Sequence, residues 1–227
     1  EGINTFLRSL ALQKNFNSIG EKLTFMMTKV FLDHCRQALQ SLFVHASSGS
    51  GFTQLIHHIA SRLDTKTTLL IDEIWAIDLL SKKCVEPEVL YTKLQRSLTN
   101  EPCIIILQDF DVFAWNKAEN AVDELSHKLL HVIRDFLKLL TSARKSKQIF
   151  LIARTRDAVK VTNKVSQIFE ETMHLSDLLA SERAVLIKMA ASFINPTNYE
   201  PEESQVLNLI PYTSGLGICD VLSITFQ

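Results

Sequence analysis

A strand, a loop of small residues and a helix follow one another directly between Ser41 and Leu63, and this succession restricts the fold more than any other stretch. Ser41 to His45 is a short apolar run of the kind that forms a strand, and a Gly/Ser turn follows it. Because backbone N–H groups at a helix N-terminus form an anion cradle, this arrangement is the usual context of a phosphate-binding loop. The apolar residues that are expected on one face of the helix are Leu55, Ile56, Ile59, Ala60 and Leu63.

The loop departs from the phosphate-binding pattern G-x-x-x-x-G-K-[ST] at two positions. Residues 46–53 read ASSGSGFT, so Ala46 replaces the first glycine and Phe52 replaces the lysine. The lysine would pair with the outer phosphates, and its loss removes roughly 1.5 to 3 kcal/mol for each charged hydrogen bond. We therefore predict a nucleotide-binding fold from which the chemistry has been removed. The candidate cofactor-binding residues of this vestigial loop are Gly49, Ser50, Gly51, Phe52, Thr53 and Gln54.

Whether this loop still binds a phosphate is left open by the sequence. Gly49, Gly51 and Thr53 retain backbone amides and a hydroxyl, and a helix dipole adds about 0.3 to 1 kcal/mol at such a site. We expect ATP binding to be weak or absent. The alternative is that the loop is only a tight strand-to-helix turn with Phe52 packed inward.

Composition narrows the class of protein. The chain has 227 residues, of which 46% are hydrophobic and 22% charged, so it can bury a sizeable core. Its formal net charge of −1 gives no general attraction to nucleic acid or to an anionic membrane. No apolar run approaches the ~18 residues of a membrane span, and no signal-peptide pattern opens the chain. The cysteines lie too far apart for a zinc ribbon or a disulfide framework: Cys35, Cys84, Cys103 and Cys219.

Strands and helices alternate through the chain. The strand-like segments are Thr67–Ile74, Pro102–Leu107, Ile149–Ala153 and Thr172–Leu175, and the helix-like segments are Ile19–Leu39, Glu88–Thr99 and Glu119–Lys145. This alternation predicts an α/β fold with a doubly wound parallel sheet. Ligands of such sheets bind beyond the carboxyl ends of the strands. The segments expected at that edge are the Ala46–Thr53 loop, the Gln108/Asp109 pair and a turn at Arg154–Arg156.

The alternation also suggests a domain division. Residues 1–40 are predicted to be a linker and an N-terminal helix that lead into the core, residues 41–177 form the α/β core, and residues 178–227 form a small all-α lid. The lid helices are expected at Ser181–Phe193, Glu202–Ile210 and Gly217–Phe226. Because the last segment stops within its pattern, we expect the lid to be truncated and the chain to be a piece of a longer polypeptide.

Four motifs, in order, carry a resemblance to a known family. They are SSGSGFTQ at Ser47–Gln54, PCIIILQDFDVFA at Pro102–Ala114, AENAVDELSHKLLHVIRDFLKLL at Ala118–Leu140 and TSGLGICDVL at Thr213–Leu222. In this order and spacing they resemble the phosphate loop, acidic strand motif, following helix and lid signature of the AAA ATPase family. The details are most similar to the first of the two ATPase domains of the peroxisome-biogenesis ATPases, the peroxin one and peroxin six type.

The resemblance implies a P-loop NTPase fold of the AAA type and gives roles to a few residues. Gln108 falls where active members have the aspartate that orients magnesium, and Asp109 falls where they have the glutamate that prepares the attacking water. A glutamine lacks the charge that a hard cation prefers. Asp109 is one methylene short, and a misplacement of that order costs about a hundredfold.

Two further catalytic features of the family are missing. Thr155 or Arg156 stands at the position of the sensor asparagine, and Gln167–Glu171, where the arginine fingers are expected, contains no arginine. The resemblance therefore implies a degenerate domain that does not hydrolyse ATP. Asp109 is its remaining, inactive catalytic candidate, Gln108 and Arg156 are vestigial cofactor-binding residues, and no metal is expected.

The resemblance also implies partners and a location. The domain would assemble with other AAA subunits, including a peroxin-six-like partner, in a hetero-hexamer that extracts the matrix-protein import receptor. The parent protein would reach a peroxisomal membrane anchor and the receptor, so the location would be cytoplasmic and peripheral at the peroxisomal membrane. No nucleic acid and no direct membrane insertion are expected.

Other interpretations stay open at this point. One is a nucleotide-binding AAA domain that hydrolyses slowly and acts as an assembly switch, and another is an inactive initiator-like or clamp-loader-like module that binds proteins or DNA. His127 and His131 share a helix face but lack a convincing third zinc ligand. Arg154, Arg156 and Lys160 would contact a phosphate, remain solvated or pair with a neighbouring subunit.

Overall fold

The computed structural model describes residues 14–33, 38–47, 49–63, 68–76, 79, 87–112, 122–143, 146–156, 166–177, 179–194 and 203–211. The α-helices of these residues are α1 (Lys14–Phe31), α2 (Phe52–Arg62), α3 (Pro87–Thr99), α4 (Val122–Ala143), α5 (Ala180–Ile194) and α6 (Glu203–Leu209). The strands are β1 (Ser41–Ala46), β2 (Leu70–Trp75), β3 (Cys103–Gln108), β4 (Ile149–Thr155) and β5 (Glu171–Leu175).

The strands form one five-stranded sheet in the order β2-β3-β4-β1-β5. The pairs β2–β3, β3–β4 and β4–β1 are parallel. The register places Leu107 beside Ala153, so the carboxyl ends of β3 and β4 lie next to each other. Every residue of β3 and β4 is buried, as expected for strands covered on both faces. The predicted doubly wound parallel α/β fold is confirmed.

The core on one face of the sheet is formed with α3 and α4. Phe43 of β1 and alternate residues of β3 and β4 form one buried cluster with the apolar stripes of these two helices, because successive side chains of a strand point to opposite faces. Phe43 of β1 contacts Phe110 and Phe169, with ring centroids 5.8 and 5.6 Å away. These rings anchor the segments that follow β3 and precede β5.

Several predicted element bounds are wrong by a few residues. Helix α1 begins at Lys14 rather than Ile19 and ends at Phe31, well before Leu39. Its last turn closes where the N–H groups of Leu32 and Asp33 both donate to the carbonyl oxygen of Thr28, at 2.9 and 3.0 Å. Periodicity identifies a helix but does not locate its ends, which depend on such terminal hydrogen bonds.

Strands β2 and β4 also differ from the prediction. Strand β2 begins at Leu70 instead of Thr67, and it lies at an edge of the sheet, where its side chains are mostly half-buried or exposed. Strand β4 continues through Arg154 and Thr155, which the sequence placed in a turn. A polar residue inside a buried strand breaks the apolar pattern from which the strand end was inferred.

Contacts divide the described residues into two compact units. One contains those within 22–46 and 60–174, including strands β1 to β4, and the other contains those within 1–21, 47–59 and 175–227. The predicted division at residues 40 and 177 remains a prediction. None of the described helices combines the length and the apolar composition that a membrane crossing requires.

The expected lid helices are partly observed. Helices α5 and α6 occupy the segments predicted at Ser181–Phe193 and Glu202–Ile210. The helix starts one residue before the expected capping serine, and the backbone N–H of Leu179 donates to Glu182 Oε2 at 2.8 Å, which is half of a capping box. The lid signature and the helix predicted at Gly217–Phe226 lie outside the described residues.

Candidate functional site

Polar residues cluster where β3 and β4 end. Gln108 is the last residue of β3 and is 0% exposed, and Asp109 follows it at 4%. Arg154 and Thr155 end β4, and Arg154 is 8% exposed. Such polar and charged groups are stable in a protein interior only when hydrogen bonds or opposite charges compensate them. The geometry shows how each is compensated.

Gln108 connects two groups of opposite charge. Its Nε2 donates to Glu73 Oε2 on β2 at 3.2 Å, and its Oε1 accepts from Nη1 of Arg154 at 3.2 Å. Arg154 Nε also donates to the carbonyl oxygen of Ala46, at 3.3 Å. A side-chain amide carries both a donor and an acceptor, whereas a carboxylate only accepts. Glutamine therefore satisfies this position, and an aspartate would place a second carboxylate near Glu73.

Asp109 is held by a charged pair in an uncommon backbone conformation. Its φ of 58° lies in the left-handed region, which Asp and Asn tolerate better than most residues. Arg156 Nε donates to Asp109 Oδ1 at 2.6 Å, and Arg156 Nη2 donates to Oδ2. This hydrogen bond is the main reason that the pKa of Arg156 is raised. The two hydrogen bonds to the Asp109 carboxylate hold the guanidinium of Arg156 in place.

Asp111 fixes the next turn of the same segment. Its Oδ1 accepts from the backbone N–H of Arg156 at 3.1 Å and from Thr155 Oγ1 at 3.4 Å. Between the two aspartates, Phe110 is fully buried against Phe169, with ring centroids 5.6 Å apart. The polar residues Asp109 and Asp111 thus attach the segment after β3 to the end of β4, while the apolar Phe110 between them packs in the core.

The predicted phosphate loop has the backbone of a sharp turn. Gly49 and Gly51 have φ values of 71° and 76°, which glycine adopts without steric cost. The N–H of Ser50 donates to the carbonyl oxygen of Ser47 at 3.3 Å, and Ser47 Oγ donates to Asp177 Oδ1 at 2.8 Å. Ser48 lies outside the described residues.

The loop fits a phosphate only in part. The Ser50 hydroxyl is buried, and it has no hydrogen-bond partner among the described residues. It stands just before helix α2, whose N-terminus favours an anion. Phe52 occupies the position of the cation and is 1% exposed, as the tight-turn alternative expected. The loop therefore retains neutral donors for a phosphate and lacks the charge that would bind it strongly.

The residues at the β3 end do not fit a magnesium ion. Magnesium requires oxygen ligands in near-octahedral geometry and prefers carboxylates. Here the amide of Gln108 is neutral, and Arg156 donates to both oxygens of Asp109. Among the residues that the structure describes, no three His, Cys, Asp or Glu side chains are grouped as metal ligands.

Arg154, Arg156 and the two histidines of α4 have partners or positions that the structure describes. The partners shown for the side chains of Arg154 and Arg156 belong to this chain and lie around the end of β3 and in β1. Lys160 lies outside the described residues. His131 Nδ1 lies 2.9 Å from Asp135 Oδ2 on the exposed face of α4. His127 is exposed on the same helix.

The segment Gln167–Glu171, which lacks the arginine fingers expected of the family at this position, makes contacts within this chain. Phe169 is buried in the core, and the carboxylate of Glu170 accepts hydrogen bonds from the backbone N–H groups of Gln40 and Ser41, at 2.7 and 3.2 Å. The N–H of Glu170 donates in turn to Ser41 Oγ at 3.1 Å. This segment therefore attaches to the start of β1.

Sequence reasoning missed two residues of the site, Glu73 and Asp111. Glu73 is a charged residue within the β2 run LIDEIW, and Asp111 is the second acid of the D-F-D triplet after β3. A charge in a strand and a repeated acid next to a buried ring were the available signals. Neither signal identifies a partner 35 to 45 positions away in the sequence.

No model of a known protein family and no curated protein sequence matches the chain. Among solved structures, the chain is similar to the crystal structure of the FIGL-1 AAA domain in complex with ADP. The TM-score is 0.64 at 12% identity, over 91% of this chain and 68% of that chain. A second crystal structure of the FIGL-1 AAA domain gives 0.64 at 13% identity, over 91% and 67% of the two chains. Because identity is this low, the likeness establishes the architecture alone: the chain has the fold of an AAA domain.

Proposed function

We propose that this chain is a degenerate AAA domain that does not hydrolyse ATP and that contributes to the assembly of a ring of AAA subunits and to the transmission of motion between them. The observation that carries the proposal is the bidentate pair between Arg156 and Asp109. It engages the carboxylate at the position where active AAA domains, by resemblance, have the residue that prepares the attacking water.

Two further observations support the loss of hydrolysis. The position of the magnesium aspartate is Gln108, whose amide is engaged by Glu73 and Arg154. The position of the phosphate-loop lysine is Phe52, whose side chain is buried. An enzyme of this type acts almost entirely through positioned charges on the phosphoryl group and its metal. A domain without these charges keeps a rigid α/β body through which neighbouring subunits make contact.

The biological setting rests on the order of the motifs. They resemble the first ATPase domain of the peroxisome-biogenesis ATPases, with the peroxin one type nearest and the peroxin six type next. On this basis the domain belongs to a hetero-hexamer with a peroxin-six-like partner, at the cytoplasmic face of the peroxisomal membrane. Hydrolysis and extraction of the import receptor would be carried out by a second ATPase domain of the parent protein.

A phosphate-release assay with purified chain, ATP and magnesium tests the proposal. We expect no turnover above a protein-free control, and no turnover from the Phe52→Lys variant either, because the carboxylate edge remains unsuited to magnesium. The intact ATPase domain of a homologous AAA protein is the positive control. Magnesium-dependent turnover by the unmodified chain would refute the proposal, and turnover by Phe52→Lys alone would show that the loop cation was the single defect.

A second candidate function is a switch that binds nucleotide without rapid turnover. The buried hydroxyl of Ser50, together with the left-handed Gly49 and Gly51, favours it. Calorimetric titration of ATP, with magnesium and with EDTA, separates the two functions. Weak or undetectable binding supports the purely structural domain, whereas micromolar affinity supports the switch. The nucleic-acid-binding alternative has no observation in its favour, since the net charge is −1.

A further inference from the structure

We propose that Arg154 and Arg156 are built-in cations that take the place of a divalent metal at the carboxyl ends of β3 and β4, so that this edge keeps its arrangement in the absence of metal. The inference rests on the proposed function in one respect, the interpretation of Gln108 and Asp109 as former metal-site and catalytic positions.

The charged groups around the end of β3 support this role. Three acids take part in the contacts there, namely Glu73, Asp109 and Asp111; the guanidinium of Arg156 pairs with Asp109, and the backbone N–H of Arg156 donates to Asp111. Arg154 reaches Glu73 through the amide of Gln108, which accepts from the arginine and donates to the acid. The two guanidinium groups thus supply two positive charges, the same number as one divalent ion.

The geometry explains why arginine is used. A guanidinium presents parallel N–H groups that match the two oxygens of a carboxylate. Arg156 uses this fork on Asp109, and its backbone N–H holds Asp111 at 3.1 Å. Arg156 therefore contacts both acids of the segment after β3, Asp109 through its guanidinium and Asp111 through its backbone N–H. Asp109 is 4% exposed, so its charge requires such a partner.

Arg154 has a related position deeper in the structure. Its side chain is buried, and its hydrogen bonds go to the carbonyl oxygen of Ala46 on β1 and to Gln108 on β3. It therefore links its own strand, β4, to β1 and β3, and through Gln108 to Glu73 on β2. Both arginines act by positioning other groups, and neither is a catalytic residue.

A double-mutant cycle on Asp109 and Arg156 tests the charge compensation. Arg156→Gln leaves the buried carboxylate without its partner, and we expect the melting temperature to fall by roughly 5 °C or more. Asp109→Asn removes the negative charge without straining the backbone, because asparagine also tolerates the left-handed conformation. The double variant Asp109→Asn, Arg156→Gln should lose less than the sum of the two single losses. Arg156→Lys, which keeps the charge without the fork, should recover part of the loss.

The matched control is Arg134→Gln, which removes an exposed arginine from α4 and should leave the melting temperature unchanged. Equal losses for Arg134→Gln and Arg156→Gln, or strictly additive losses in the cycle, would contradict the proposal. If Arg156→Gln does not fold, folding of the double variant supports the proposal. Failure of both to fold contradicts it, because then the uncompensated charge is not the cause.

Binding of a divalent metal is the second readout. An ion pair that only stabilises the fold would not determine whether the site binds metal. The unmodified chain and Asp109→Asn are titrated with Mn²⁺, and binding is followed by electron paramagnetic resonance. We expect no Mn²⁺ binding that depends on Asp109, so the two titrations should be the same. Magnesium should not raise the melting temperature above that in EDTA at matched ionic strength. Binding of Mn²⁺ that depends on Asp109 would overturn the inference. That result leaves the proposed function standing if ATP turnover is still absent, so the two can fail separately.

Discussion

Replacing Gln108 with glutamate is the sharpest perturbation of the β3 edge. The substitution keeps the length of the side chain and exchanges an amide that donates to Glu73 for a carboxylate that cannot donate. Glu73 Oε2 lies 3.2 Å from the donor nitrogen, and Gln108 is fully buried. The variant therefore places two carboxylates against each other, one of them fully buried and the other, Glu73, half-buried.

The expected loss follows from the groups involved. A hydrogen bond to a charged group contributes about 1.5 to 3 kcal/mol, and Gln108→Glu removes one. Two like charges about 4 Å apart repel by roughly 4 kcal/mol at an effective dielectric constant of 20. The new attraction to Arg154, which lies 3.2 Å from Oε1 of Gln108, offsets this repulsion by a similar amount. We expect a net loss of about 2 kcal/mol, or roughly 4 to 8 °C in melting temperature.

Urea unfolding followed by circular dichroism measures this loss, and a swapped variant tests its cause. In Glu73→Gln, Gln108→Glu, one amide and one carboxylate remain at the two positions with exchanged places. Because the donor and acceptor are again paired, most of the stability should return. If Gln108→Glu unfolds at the same urea concentration as the unmodified chain, or if the swap restores nothing, the hydrogen-bonded connection between Glu73 and Arg154 is not what stabilises this edge.

Two further predictions concern buried side chains elsewhere. Phe52→Ala should lose about 3 to 5 kcal/mol of unfolding free energy, as truncations of buried aromatic side chains do. The control Phe25→Ala, at a position that is 63% exposed, should lose little. Equal losses for the two variants would contradict inward packing of Phe52. Burial, the largest cause, raises the pKa of the Cys103 thiol from 9.0 to about 12, so native Cys103 should resist iodoacetamide at pH 8 while the urea-unfolded chain reacts. Because the thiol pKa is higher in the folded state, the contribution of the protonated Cys103 to the free energy of unfolding is complete below pH 9 and is lost as the pH rises towards 12. Rapid alkylation of Cys103 in the folded chain would refute its burial.

The sheet was predictable because its central strands are continuous apolar runs. The run ending at Leu107 is short and rich in β-branched isoleucine, which favours a strand, and burial on both faces is expected of such a continuous apolar run. The start of the edge strand β2 was predicted three residues too early, because the β-branched and apolar residues before Leu70 continue the pattern of the strand. Strand β4 was predicted too short because Arg154 resembles the start of a turn until its buried partners are known.

The chemistry of the site was predictable only as a set of losses. The sequence identifies Gln108 and Asp109 as departures from a motif, but it does not identify what compensates them. The partners are Arg154 and Arg156, 46 and 47 positions away in the chain. The parallel register of β3 and β4 brings them together. A pairing over such a separation depends on the fold, and composition and spacing do not specify it.

The most direct test of the proposal that this domain does not hydrolyse ATP is to measure phosphate release from ATP by the purified chain with magnesium in excess. We predict a rate indistinguishable from that of ATP alone, both for the unmodified chain and for Phe52→Lys. A magnesium-dependent turnover number near the ~1 to 10³ s⁻¹ that is typical of enzymes, abolished by Asp109→Asn, would contradict the proposal that this domain does not hydrolyse ATP.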